Sequence, residues 1–145
     1  MPCLAPGGPW LNRLLDQERL RQVYMAWACA KFGIQGYLHW GGNFHTPKPF
    51  EELVRFHMTG QYLPAGDSHI LYPGPDGPLS SHRFEAHRIG MEDLELLAQV
   101  KRHDPVRAAA IIAKVVTGFD EYRKDVASYR AARQELLEAA DRLNQ

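Results

Sequence analysis

Apolar positions recur along this chain in two rhythms, and the change between them falls at a glycine. In "LNRLLDQERLRQVYMAWACAKFG", Leu20, Val23, Tyr24, Trp27, Ala30 and Lys31 follow helical spacing, which predicts a helix from about Arg13 to Phe32 with Gly33 as its C-terminal cap. A few residues on, "IQGYLHW" reads as a buried strand in which Gly36, Leu38 and Trp40 share one face and Tyr37 and His39 the other, packed under helices. From Gly41 to Gly66 the pattern is irregular, with a short helix suggested over "PFEELVRF", before "SHILYP" gives a second strand.

The rest of the chain reads as helices. "GPDGPLSS" is a turn cluster that places Ser80 or Ser81 as N-cap of a helix from about His82 to Arg102, interrupted by Gly90. His103, Asp104 and Pro105 end it and open another over "VRAAAIIAKVVTGF". A last helix, from about Asp120, sets Tyr122, Val126, Tyr129, Leu136, Ala140 and Leu143 on one stripe, with Arg133 in its one polar slot. That stripe predicts an antiparallel hairpin with the helix before it.

A helix joined by a short connection to an apolar strand is the αβ half of a β/α repeat. Two strands are too few for a self-sufficient parallel sheet, so either the exposed edges pair with something else or the chain is a piece of a larger barrel.

Composition narrows the partners. Lys plus Arg equals Asp plus Glu at 17 each, which argues against nucleic acid or an anionic membrane surface. No stretch reaches the roughly 18 apolar residues of a membrane span, and the N-terminus "MPCLAPGGPW" has no basic segment followed by an apolar run. Cys3 and Cys29 form neither a disulfide framework nor a metal-ligand spacing and are read as reduced and structural. His39, His45, His57 and His69 are near enough in sequence to converge, yet none forms a close ligand pair such as HxH, so no metal site is assigned and no cofactor is expected.

"CLAPGGPWLNRLLD", "GIQGYLHWGGNF", "PAGDSHILYPGPDGPLSSHRFEAHRIGMEDLELL" and "FDEYRKDVASYRAARQELL" resemble, in this order, the C-terminal third of the catalytic domain of glycoside hydrolase family 123, also called domain of unknown function 4091. The resemblance runs from Cys3 to about Leu137. It implies an α/β fold, the C-terminal portion of a (β/α)8 TIM-type barrel, with residues 1–103 as its last β/α units and 104–145 as a C-terminal helical hairpin packed on the barrel. It implies a carbohydrate partner, an N-acetylhexosamine-containing glycan, and a secreted or periplasmic parent enzyme. The activity implied is removal of terminal N-acetylgalactosamine by substrate-assisted, retaining hydrolysis, in which the acetamido oxygen of the sugar attacks the anomeric carbon, outside the usual two-carboxylate scheme.

The adjacent Asp-Glu pair that serves such enzymes lies upstream of the region resembled, so no catalytic residue is assigned. The chain is then expected to need the missing N-terminal part of the barrel or to self-associate. Asp120-Glu121 is read as capping the helix that follows Gly118, and Glu92-Asp93 as a solvated or barrel-packing face with an Arg88–Glu92 ion pair.

In a barrel the ligand site lies at the C-terminal ends of the strands. Trp40 is there either a platform on which a sugar face stacks or a plug of the barrel end. Asn43 is a hydrogen-bonding group for the acetamido or hydroxyl groups, or a turn residue after two glycines. Asp67 holds a sugar hydroxyl or bonds nearby backbone, and Tyr72 shares the position and the ambiguity of Trp40. Arg83 and Glu85 either reach the site or form a structural ion pair.

Overall fold

The computed structural model describes residues 8–54, 60 and 62–144. It combines four helices with one small antiparallel sheet: α1 Arg19–Phe32, β1 Tyr72–Gly74, β2 Gly77–Leu79, α2 His82–His103, α3 Pro105–Ala113, α4 Val126–Asp141 and a closing 3-10 turn, Arg142–Asn144.

Local chemistry explains most helix ends. Gly33 takes the left-handed conformation, φ 66°, and returns its N–H to the Cys29 carbonyl, as the C-cap reading requires. Ser81 Oγ accepts from Phe84 N and donates to the Ile70 carbonyl, so the cap also ties α2 to the preceding loop. Asp104 closes α2 through its own N–H to Val100 O and opens α3 by accepting from Arg107 N, with Pro105 in the first turn.

Other boundaries differ from the sequence reading because tertiary partners take the backbone. The helix expected from Arg13 begins at Arg19. Before it, Leu11 N donates to Phe119 O at 2.7 Å and Leu15 N to Ala65 O at 2.9 Å, so these amides are committed across the fold. α3 stops at Ala113 and not at Phe119. There the chain forms a tight reversal in which Thr117 N and Gly118 N donate to Glu121 O and Val116 bridges Tyr122. α4 accordingly starts at Val126, capped by Asp125, and Asp120-Glu121 sits in the reversal instead of opening a helix. Residues 49–51 form a turn in place of the short helix, whose residues 55 and 56 lie outside the described residues.

The core lies among the helices, where Tyr24, Trp27, Leu97, Ile111, Val116 and Leu136 are fully buried. α2 approaches α1 at Gly90, where a Cβ would stand 2.7 Å from Val23 O. Asp93, read as part of a solvated or barrel-packing face, is buried and accepts from Trp27 Nε1 of α1 and from Tyr129 Oη and Arg133 Nε of α4. Glu92 does face solvent and pairs with Arg88.

The strands differ most. Residues 34–39 form no strand or other regular element, and Leu38 is 91% exposed. Strand geometry is stabilised by a neighbouring strand, and among the described residues no strand pairs with this segment. The second stretch enters regular structure only at Tyr72 and folds back at once, with Tyr72 opposite Leu79 and Gly74 opposite Gly77. The glycine–proline cluster is therefore a β-hairpin turning at Pro75-Asp76. The loops that follow and contain the two stretches read as strands meet at one antiparallel bridge, Asn43 to His69. The described architecture is thus mixed helix and small sheet, α/β-like.

Candidate functional site

The site is built on two loops. Residues 39–45 lie against residues 66–72, joined by Phe44 N to Ser68 O and by Ile70 N and Leu71 N to Gly42 O. Gly41 permits the approach, because a Cβ there would lie 2.4 Å from Ser68 O. One of the two glycines that follow Trp40 thus serves backbone-to-backbone contact.

Trp40 and Asp67 are bonded to each other: the indole Nε1 donates to Asp67 Oδ2 at 2.9 Å. Trp40 remains 42% exposed, with Phe44 edge-on at 5.7 Å between ring centroids, whereas Asp67 has no exposed surface. The second carboxylate oxygen lies 3.2 Å from His39 Nε2. Gly41 N–H donates to His39 Nδ1, which leaves Nε2 to carry the proton and donate to Asp67. His39 therefore shares a carboxylate with Trp40 in place of packing under a helix. Strand alternation does not separate the two residues, because the segment is not a strand. Tyr37 stacks on His87 of α2 at 6.2 Å.

Tyr72 borders two depressions. With Phe50, Leu79 and Ser81 it lines a groove of about 710 Å³, and with Asn43, His45 and Pro73 a recess of about 200 Å³. Phe50 stacks on Tyr72 with centroids 5.1 Å apart and planes within 23°. Asn43 and Tyr72 thus share one recess, while Trp40 and Asp67 share one hydrogen bond.

Arg83 connects the two pairs. Its buried guanidinium donates from Nη1 to Gly66 O at 2.6 Å and to Arg13 O at 3.2 Å, and from Nη2 to Tyr72 Oη at 3.3 Å. Arg13, also buried, donates to the Asp67 carbonyl. No Arg83–Glu85 ion pair forms: Glu85 turns to Arg88 and Ser80 at the surface, and Arg83 is drawn inward by backbone carbonyls. Sequence reasoning missed Phe50 and Arg13 altogether. Neither carries a signal, since a buried arginine bonded to carbonyls has no partner that its neighbours in sequence reveal.

His69 lies beneath Tyr72, ring centroids 4.9 Å apart, with Nδ1 bonded to Ser68 Oγ. Burial, and then the charges of Arg83, His45 and Arg13, push its pKa down to about 4, so it is neutral at pH 7. His45 and His69 meet edge to face at 6.2 Å, while His39 is engaged with Asp67 and His57 lies outside the described residues. Among the described residues no three His, Cys, Asp or Glu side chains gather as a metal site, and no helix is long and apolar enough to cross a membrane.

Neither acidic pair lies at these loops. Asp93 is committed to Trp27, Tyr129 and Arg133, and Asp120-Glu121 occupies the reversal before α4.

No match to the chain was found among curated proteins. The family model for the glycoside hydrolase 123 catalytic domain matches residues 2–100, a span that ends inside α2 and leaves α3 and α4 beyond it. The matched span holds every residue of the two loops and covers well over half of the chain, which therefore belongs to the glycoside hydrolase 123 catalytic-domain family.

Proposed function

We propose that this chain supplies the sugar-facing loops of a family 123 barrel acting on terminal N-acetylhexosamine, with residues 1–103 as its last β/α units and 104–145 as a helical extension. Trp40 is the stacking platform, and Asn43 and Tyr72 offer hydrogen bonds to hydroxyl or acetamido groups from the shared recess. In substrate-assisted hydrolysis the acetamido oxygen attacks the anomeric carbon, one carboxyl group orients the acetamido group and another protonates the leaving oxygen. Those acids come from barrel residues other than these, since both acidic pairs here have structural surroundings.

The observation that carries this reading is the Trp40 ring, open on its surface while its one polar atom is anchored to a buried carboxylate. A ring held this way presents a fixed apolar face, as sugar stacking requires. The test is NMR titration of the chain with methyl N-acetyl-β-galactosaminide. Perturbation of the Trp40 indole and Asn43 amide signals, lost in Trp40→Ala, is expected. Absence of any perturbation at millimolar sugar would overturn the reading. An aryl N-acetyl-β-galactosaminide should not be turned over by the chain alone, and turnover abolished by Asp120→Ala or Glu92→Ala would reassign the acids.

A second reading is favoured by one feature. Leu38 is 91% exposed on a segment that no strand pairs with among the described residues, as expected of a binding module that self-associates through strand edges. Light scattering after size exclusion separates the two: a dimer dispersed by Leu38→Lys supports self-association, and a monomer refutes it.

A further inference from the structure

We infer that Asp67 is a positioning residue: its buried carboxylate sets the plane of the Trp40 ring, and the Arg83 guanidinium that holds the Asp67 turn also bonds Tyr72, so that Trp40 and Tyr72 are aligned by one hydrogen-bonded unit. The inference rests on the sugar-site reading above and assigns Asp67 a role other than contact with a sugar hydroxyl.

Three observations support it. Asp67 has no exposed surface, and both carboxylate oxygens are engaged, Oδ2 by the Trp40 indole at 2.9 Å and Oδ1 by His39 Nε2 at 3.2 Å. With no exposed surface, the carboxylate offers a ligand hydroxyl no open approach. Second, Trp40 stands on an irregular loop, where no strand restrains its side chain, and the indole N–H is its only hydrogen-bonding group. Third, the backbone that carries the carboxylate is itself held by hydrogen bonds. The Asp67 carbonyl accepts from Arg13 Nη2 at 3.1 Å, its N–H donates to Pro64 O, and the preceding Gly66 carbonyl accepts from Arg83 Nη1 at 2.6 Å.

The same Arg83 reaches Tyr72 Oη with its other terminal nitrogen. Gly66 makes this possible, having φ +75° and a position where a Cβ would stand 2.4 Å from Arg83 Nη1. Trp40 and Tyr72, 32 positions apart in sequence, are thus referred to one rigid turn, residues 64–69. Arg83 belongs to α2, so the helix rather than a sheet is what orients the aromatic surface.

The experiment uses the full chain, which holds three tryptophans and hence three indole N–H signals in a ¹H–¹⁵N spectrum. Trp40→Phe assigns the Trp40 signal. The wild-type Trp40 indole proton should exchange with solvent at least tenfold more slowly than that of free tryptophan, and equal exchange would overturn the inference without any variant at Asp67. Asp67→Asn, which keeps the shape but loses the charged acceptor, should shift and broaden the Trp40 signal and leave Trp27, bonded to Asp93, in place. It should also weaken binding of methyl N-acetyl-β-galactosaminide about tenfold, with no further loss when combined with Trp40→Phe. An unmoved Trp40 signal in Asp67→Asn refutes positioning even if the sugar binds. A displaced signal in a chain whose wild type ignores the sugar upholds positioning and refutes the sugar site.

Discussion

Tyr129 Oη donates to Asp93 Oδ2 at 2.8 Å, so a hydroxyl from α4 ends on a carboxylate of α2 that has no exposed surface. Trp27 Nε1 and Arg133 Nε complete the set at 3.0 and 2.7 Å. Removing the carboxylate strands three buried or half-buried donors, one of them charged. Asp93→Ala should therefore destabilise the chain by about 3–5 kcal/mol. Asp93→Asn, which keeps an acceptor, should cost roughly 1–3 kcal/mol. Urea unfolding followed by far-UV circular dichroism measures both, and a loss under about 0.5 kcal/mol for Asp93→Ala would show the network to be dispensable.

Gly90→Ala should destabilise although alanine is the better helix former. Helix propensity alone favours the substitution by about 1 kcal/mol. The new methyl would sit 2.7 Å from Val23 O and 3.3 Å from the Ala26 Cβ, and α1 must move to admit it. Overpacking of this kind costs about 1–3 kcal/mol, so the net effect is a lower urea midpoint. A raised midpoint would mean that the two helices do not meet at this position.

Gly41→Ala addresses the loops without touching the helical core. A Cβ 2.4 Å from Ser68 O forces residues 66–72 away from Trp40 and lengthens the indole–carboxylate bond. The expected outcome is faster exchange of the Trp40 indole proton and weaker sugar binding, with the Trp27 indole signal unchanged. Loss of the Trp27 signal together with that of Trp40 would show that the loops and the core unfold as one unit.

Acid should weaken the fold through two histidines. His69 is held down to about pKa 4 by burial and by Arg83, His45 and Arg13, and His87 to about 4 by burial and by Arg13, His39 and Arg83. In both cases the folded value lies below the ordinary 6.5, so between about pH 6.5 and 4 the unfolded chain binds more protons than the folded one. Stability is fully present above that window and is lost as pH falls through it, with a slope of up to about 1.4 kcal/mol per pH unit for each histidine. Urea midpoints at pH 7 and pH 5 should differ accordingly, and His69→Gln should flatten the difference. A midpoint independent of pH over this range would exclude both groups as the source.

Most helix ends were legible because their causes are local. Gly33, Ser81 and the Asp104-Pro105 pair each act within one helical turn, and each stands where its chemistry predicts. The misplaced boundaries share another cause. Arg13 to Glu18 and Lys114 to Asp125 have helical sequence character, yet amides near them bond to residues far along the chain, such as Leu15 N to Ala65 O. Propensity describes a segment by itself, and a distant carbonyl outweighs it.

The site residues divide in the same way. Trp40, Asn43, Asp67 and Tyr72 stood out in the sequence as aromatic and polar groups among glycines and turn residues, and the family could be read from the motifs around them. Which of them touch could not. Alternation placed His39 away from Trp40, and only the absence of strand pairing let both meet Asp67.

The sequence by itself determined the helices of the core, the caps at Gly33, Ser81 and Asp104, the chemistry available at the loops and the family. Periodicity, capping and composition act over a few residues and survive in a one-dimensional string. The tertiary structure decided that residues 34–39 form no strand, that "GPDGPLSS" closes a hairpin, that Asp93 binds three partners, and that Asp67 and Arg83 hold Trp40 and Tyr72. The bonds of Asp93 and Asp67 join residues far apart in the chain, and their free energy exists only once packing has brought donor and acceptor to within about 3 Å.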